Sequence, residues 1–225
     1  LDSDTPHFSA RTATRKILPV TPTAKETVQG ILARLPARHS TSLKNIVLDY
    51  RPDAQRGLGG QTMVILRANL PQNEITAVLI HEIGHNVDLG LLEAPTQNGV
   101  ASTFHDGDIP VLEGDSSLAF YRINWDSNSA LKRTASNLDF VSGYAMSDPF
   151  EDFAETYVFY VLHNADFRAL TAGSDALAKK YAFMRDAVFS GKEFATGNAN
   201  AIQNLNRRSW DVTVLPYDLE QFLDT

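Results

Sequence analysis

Apolar residues at Val28, Ile31, Leu32 and Leu35 recur at the spacing of one helix face. Thr23-x-x-Glu26 ahead of them reads as a capping box, and Pro36 closes the run. Ile46 to Tyr50 predicts a strand, and Thr62 to Ala68 a second one. Between them, residues 51–60 carry Pro52, Gly57, Gly59 and Gly60 and predict a loop. An apolar, proline-free stretch then runs from Glu74 to about Leu92 and predicts a long helix. Residues 93–117 are rich in Gly, Asp, Pro and Thr; their length suits a loop at the rim or lid of a cleft. Leu118 to Trp125 reads as a strand or turn.

A further helix opens at Asp148-Pro149, with Asp148 as cap, Pro149 in the first helical position and Glu151 in the third. It runs through Tyr157, Val158, Val161 and Leu162. Helical patterns follow over 175–189 and 198–205, then a short strand over 210–215 and a terminal turn over 218–223. Residues 1–18 are polar and without period, which predicts a flexible N-terminal arm. The expected organisation is one domain over 19–225, with an N-terminal lobe to about residue 92 and a C-terminal lobe over about 118–225. Strands before the long helix and helices after it make the fold class α+β, a small mixed sheet packed on that helix beside a mainly helical lobe.

Composition narrows the classes of function. The chain has 225 residues, 43% hydrophobic, and a formal net charge of −7, which argues against nucleic acid or an anionic membrane as partner. No uninterrupted apolar run is long enough to span a bilayer. There is no cysteine, so a metal would have to be held by histidine and carboxylate. The chain begins at Leu1 rather than Met, which fits a removed leader or a trimmed end, and the expected location is secreted or extracytoplasmic.

The chemistry is concentrated in His81-Glu82-Ile83-Gly84-His85. Residues four apart share a helix face, so His81 and His85 can offer two imidazoles to one zinc ion, with Glu82 beside them as general base. Gly84 leaves room for another segment to approach closely. A metal held by two histidines needs at least one more protein ligand. A metzincin would place glycine and histidine at positions 88 and 91, where this chain has Asp88 and Leu91. His105, His163, Asp88 and a downstream glutamate are the other candidates, and Glu151 is preferred. It opens a helix, and Glu155 follows one turn later on the same face, placed to accept the free ring N–H of a ligand histidine. Asp88 lies near the histidine face and is expected behind the ligands or exposed, and His163 is expected to be structural. Asp106-Gly-Asp108 with Asp115 does not make an EF-hand, because Val111 and Ser117 stand where glycine and glutamate are required.

His81-Glu-Ile-Gly-His85 with Tyr144-x6-Glu151-x3-Glu155 resembles the gluzincin metallopeptidases, in particular the catalytic domain of anthrax lethal factor and the Pro-Pro endopeptidases. The helix of that group reads Glu-x-Phe-Ala-Glu, as Glu151 to Glu155 do here. The resemblance implies a zincin-like fold and a Zn2+ cofactor held by His81, His85 and Glu151. It also implies Glu82 as general base and Tyr144 as hydroxyl donor to the tetrahedral oxyanion. The expected activity is zinc-dependent endopeptidase hydrolysis through a zinc-bound water activated by Glu82, on a protein or peptide laid along the 62–68 strand, by a monomer. A catalytically silent, zinc-stabilised peptide-binding module is the alternative, and a metal-free α+β scaffold the third reading.

Overall fold

The structure, a computed structural model, describes residues 5–12, 17–18, 22–93, 99–198 and 209–225. The chain forms strands β1 (His7–Arg11) and β2 (Ile17–Leu18), helix α1 (Pro22–Leu32), strands β3 (Asn45–Asp49), β4 (Gly57–Gly59) and β5 (Met63–Arg67), and the long helix α2 (Gln72–Asn86). A hairpin of β6 (Ala101–Asp106) and β7 (Ile109–Leu112) follows, then α3 (Leu118–Asn124) and the small pair β8 (Trp125–Ser127) and β9 (Ala130–Leu131). Helices α4 (Pro149–Leu162), α5 (Asn164–Thr171), α6 (Asp175–Phe183) and α7 (Leu219–Leu223) complete it. The class is α+β. Among the described residues no helix is long and apolar enough to cross a membrane.

Five strands form one mixed sheet in the order β2-β1-β3-β5-β4. β1, β3 and β5 run parallel, while β4 lies antiparallel to β5 and β2 antiparallel to β1. β3 is central and its Ile46, Val47 and Leu48 are buried, which explains a continuous apolar run in place of alternation. Here the structure corrects three expectations. His7–Arg11 is a strand paired with β3 and not a flexible arm, because its backbone completes the parallel ladder. The glycine-rich loop contains β4, and β4 ends the sheet. The strand at 63–67 is therefore internal, with β3 on one side and β4 on the other, and has no free edge for a peptide.

Helix α2 is buried on nearly every side from Thr76 to Gly84. A helix surrounded in this way is apolar all round, which is why its sequence shows little one-sided patterning. It packs on β4 and β5 and against α4. Its last turn passes directly into a π-helical turn, Val87–Leu91, so the helical run ends at Leu92 as its sequence predicts. Helix α4 is also buried along almost its whole length. Asp148 caps it as expected, accepting from the backbone N–H groups of Phe150 and Glu151. Between α1 and β3, His39 is buried between α4 and the Val188 carbonyl.

The C-terminal half is helical, as expected, with differences in detail. Residues 101–112, expected as loop, form the β6–β7 hairpin; residues 94–98 of that stretch lie outside the described set. Leu118–Asn124 is helix, because Leu118, Phe120 and Tyr121 bury together at helical spacing. Val212–Val214 is a single 3-10 turn and not a strand, and residues 219–223 form a capped helix. The capping side chain of Thr23 and the helix expected over 198–205 fall outside the described residues, apart from Asn198. One buried ion pair ties this half together. Lys180 Nζ donates to both Asp152 oxygens at 2.7 and 2.8 Å, and Trp125 Nε1 donates to Asp152 at 3.0 Å. With both partners fully buried, loss of either leaves an uncompensated charge at a cost of about 3–5 kcal/mol.

Candidate metal centre

Two helices bring the centre together. α2 presents His81 and His85 one turn apart, their ring centroids 5.0 Å from each other. α4 presents Glu151 from its first turn, across the contact between the helices. Glu151 Oε2 lies 3.2 Å from His81 Nε2 and 3.5 Å from His85 Nε2. One ligand atom from each of the three residues falls within 4.8 Å of the others, and no other such group occurs among the described residues. Glu151 Oε2 is buried and makes no hydrogen bond of acceptable geometry. A buried acceptor that converges with two ring nitrogens, without a well-aligned donor between them, fits a metal ion. The group can therefore hold one, with His81 buried and the other two half-buried.

His81 is oriented from behind. Its Nδ1 lies 3.0 Å from Glu155 Oε1 and donates to it, which turns Nε2 toward the centre. Glu155 is itself held: its Oε2 accepts from the Ser142 hydroxyl at 2.6 Å and from the Val212 N–H at 2.8 Å. Ser142 in turn accepts from the Ala145 N–H. Sequence reasoning finds Glu155 but not Ser142 or Val212. Ser142 stands only two residues before Tyr144 with no spacing signal of its own, and Val212 acts through its backbone.

Tyr144 sits where its hydroxyl donates to Glu151 Oε1 at 2.9 Å, and its ring stacks on His81 at 6.3 Å between centroids. The turn that carries it is pinned by backbone bonds from Gly143 to Ser209 and from Tyr144 to Trp210. Glu151 thus uses its side chain toward Tyr144 and the histidines, while its backbone N–H alone takes part in the helix cap.

Glu82 faces the opposite wall of the cleft. A Cβ added to Gly57 would stand 2.1 Å from Glu82 Oε1, and one added to Gly59 would stand 2.7 Å from Oε2. Only glycine lets β4 approach this carboxylate so closely, and the Gly59 N–H donates to it. The glycines that read as loop breakers are therefore part of the site.

The electrostatics favour a cation. Burial opposes a charged His81, but the nearby Glu151 and Glu155 carboxylates outweigh it and raise its pKa to about 10. Glu151 is raised by burial and lowered more strongly by the two histidines, ending well below the usual carboxylate range. Burial pushes Glu82 upward, against the pull of His81 and His85. Burial, with the Glu151 charge beside it, also raises Tyr144, which stays a protonated donor.

These side chains line a cleft of about 540 Å³ walled by β4 and α2 and closed in part by Asp106 of the hairpin and Thr213. Asp88 is not placed behind the ligands. It accepts from the Tyr121 hydroxyl at 2.7 Å and lines a different cavity. His163 is buried beside Asp166, away from the three converging ligand atoms. Compared with known proteins, the chain matches no protein-family model, no curated protein and no solved structure.

Proposed function

We propose that this chain is a zinc-dependent endopeptidase of gluzincin type on a zincin-like fold. The observation that carries the reading is the convergence of His81, His85 and Glu151 in a cleft that Glu82 and Tyr144 also line. Two nitrogens and one carboxylate oxygen with no sulfur suit zinc, with a position left for water. Zinc held there would polarise a peptide carbonyl and lower the pKa of water to about 7.

The chain's own residues then divide the work. Glu82 accepts the proton of the attacking water and delivers it to the leaving amine. The close approach of Gly57 and the Gly59 N–H hold it in the accepting position. Tyr144 shifts its hydroxyl from Glu151 to the oxyanion that develops on the carbonyl. Glu155, fixed by Ser142 and Val212, keeps His81 in one tautomer. The substrate backbone pairs with β4, the strand that ends the sheet beside the cleft, and not with β5.

Metal analysis with digestion of a random peptide library tests the reading, using Glu82→Gln as blank. Stoichiometric zinc and cleavage that vanishes in the blank support it. Bound zinc with no cleavage would favour the silent peptide-binding module. A protein without metal, or one whose Glu151→Ala variant keeps all of it, would remove the ligand assignment.

A further inference from the structure

A second cavity of about 260 Å³ adjoins the cleft; Leu89 and Asp106 line both. This is below the ~300–1,000 Å³ of a drug-sized ligand pocket and suits one side chain. Its walls combine two kinds of surface. Ile109, Pro110, Val111 and Leu112 of the hairpin, with Leu89, are aliphatic, while Asp88, Glu93, Asp106 and Asp115 supply carboxylates. No lysine, arginine or histidine is among the described lining residues.

Asp88 distinguishes this cavity from an ordinary acidic surface. It is 1% exposed, and although its Oδ2 accepts from Tyr121, its Oδ1 is buried without a hydrogen-bond partner. Burial raises this carboxyl well above the usual range, the Ser117 and Tyr121 hydroxyls pull it back, and the Asp115 and Asp106 charges add to the rise, which a cation placed beside it would oppose. A metal ion does not fit the need. The only described His/Asp/Glu group with ligand atoms within 4.8 Å of one another is His81, His85 and Glu151. What fits is a cation on an apolar stem, whose methylenes lie along the aliphatic wall while its N–H groups reach Asp88.

We propose that this cavity is the subsite that receives a lysine or arginine side chain of the peptide bound in the cleft, with Asp88 as its principal specificity-determining residue and Asp106 at its mouth. The inference rests on the cleft being a peptide-binding cleft. It makes the substrates basic at one position, in keeping with the chain's own acidic balance.

Two measurements test it, the first of them without hydrolysis. In calorimetric titration, Nα-acetyl-arginine methylamide should bind at least tenfold more tightly than Nα-acetyl-norleucine methylamide. Asp88→Asn and Asp106→Lys should each erase most of that ratio. Asp106 is exposed, so Asp106→Lys carries the reading if Asp88→Asn does not fold. Equal binding of the two amides, or an arginine preference untouched in folded variants, overturns the subsite. In a peptide library, one position should favour Lys and Arg over norleucine and Glu by tenfold or more. Cleavage with no basic preference overturns the subsite and leaves the peptidase. Arginine binding that depends on Asp106, with no peptide cleaved, sinks the peptidase and leaves the subsite.

Discussion

Gly84 of α2 packs directly on Ala154 of α4: a Cβ at Gly84 would stand 3.0 Å from the Ala154 Cα and 3.2 Å from the Tyr157 Cβ. This contact sets how closely the two helices approach, and so whether Glu151 reaches the histidines of the facing helix. A larger side chain must push the helices apart. Gly84→Val gains a little in helix propensity, but overpacking of a tight contact costs about 1–3 kcal/mol and wins. The variant should melt at lower temperature and bind less than stoichiometric zinc. A wild-type melting curve with full zinc content would show that the contact does not position the site.

The chain of contacts from Ser142 through Glu155 to His81 predicts graded losses of metal. Glu155→Gln should weaken zinc binding about 10–100-fold, the usual range for groups behind a metal ligand. Ser142→Ala should do the same more mildly, since the Val212 N–H still holds Glu155. Competition with a chromophoric chelator measures both. Unchanged affinity in Glu155→Gln would refute the orienting role.

Tyr144→Phe removes the hydroxyl that now rests on Glu151 and leaves the ring stacked on His81. Zinc content should stay near that of the wild type. Turnover should fall about 100–1,000-fold, the usual loss for one oxyanion donor. If kcat is preserved, Tyr144 has no part in the chemistry.

Gly57→Ala places a methyl group where Glu82 Oε1 lies. Either β4 or the carboxylate must move, and each displaces the general base relative to the cleft. Peptide hydrolysis should drop at least tenfold with zinc retained, a barrier raised by about 1.4 kcal/mol or more. Zinc-loaded protein with full activity would remove β4 from the positioning of Glu82.

His39 supplies a pH dependence away from the metal. It is 1% exposed; its Nε2 donates to the Val188 carbonyl, and its Nδ1 accepts from the Tyr157 hydroxyl. Burial lowers its pKa from 6.5 to about 4, more than the Val188 bond raises it. The unfolded chain therefore binds a proton that the folded chain does not as pH falls from 6.5 toward 4. Stability is full above 6.5 and lost progressively down to about 4, by about 3 kcal/mol for this group. Urea unfolding at a series of pH values should show His39→Gln with a shallower acid decline than the wild type. Parallel curves would assign the decline to other groups.

The sequence by itself determined what is local. The four-residue spacing of His81 and His85, the cap at Asp148-Pro149, and the one-turn offset of Glu151 and Glu155 are properties of a single helix, set by its pitch. The apolar run of β3 and the proline-free stretch of α2 were legible for the same reason. Only the tertiary structure decided which strand ends the sheet, because pairing joins β1, β3, β5 and β4 out of chain order and hydrophobic pattern does not encode that order. It also turned Gly57 and Gly59 from loop breakers into the wall against Glu82, and brought Ser142 and the Val212 backbone to Glu155. It carried Asp88, one turn past His85, out of the metal centre and into the neighbouring cavity. The Tyr121 hydroxyl that holds it there comes from α3, a contact between separate elements that no spacing along α2 encodes.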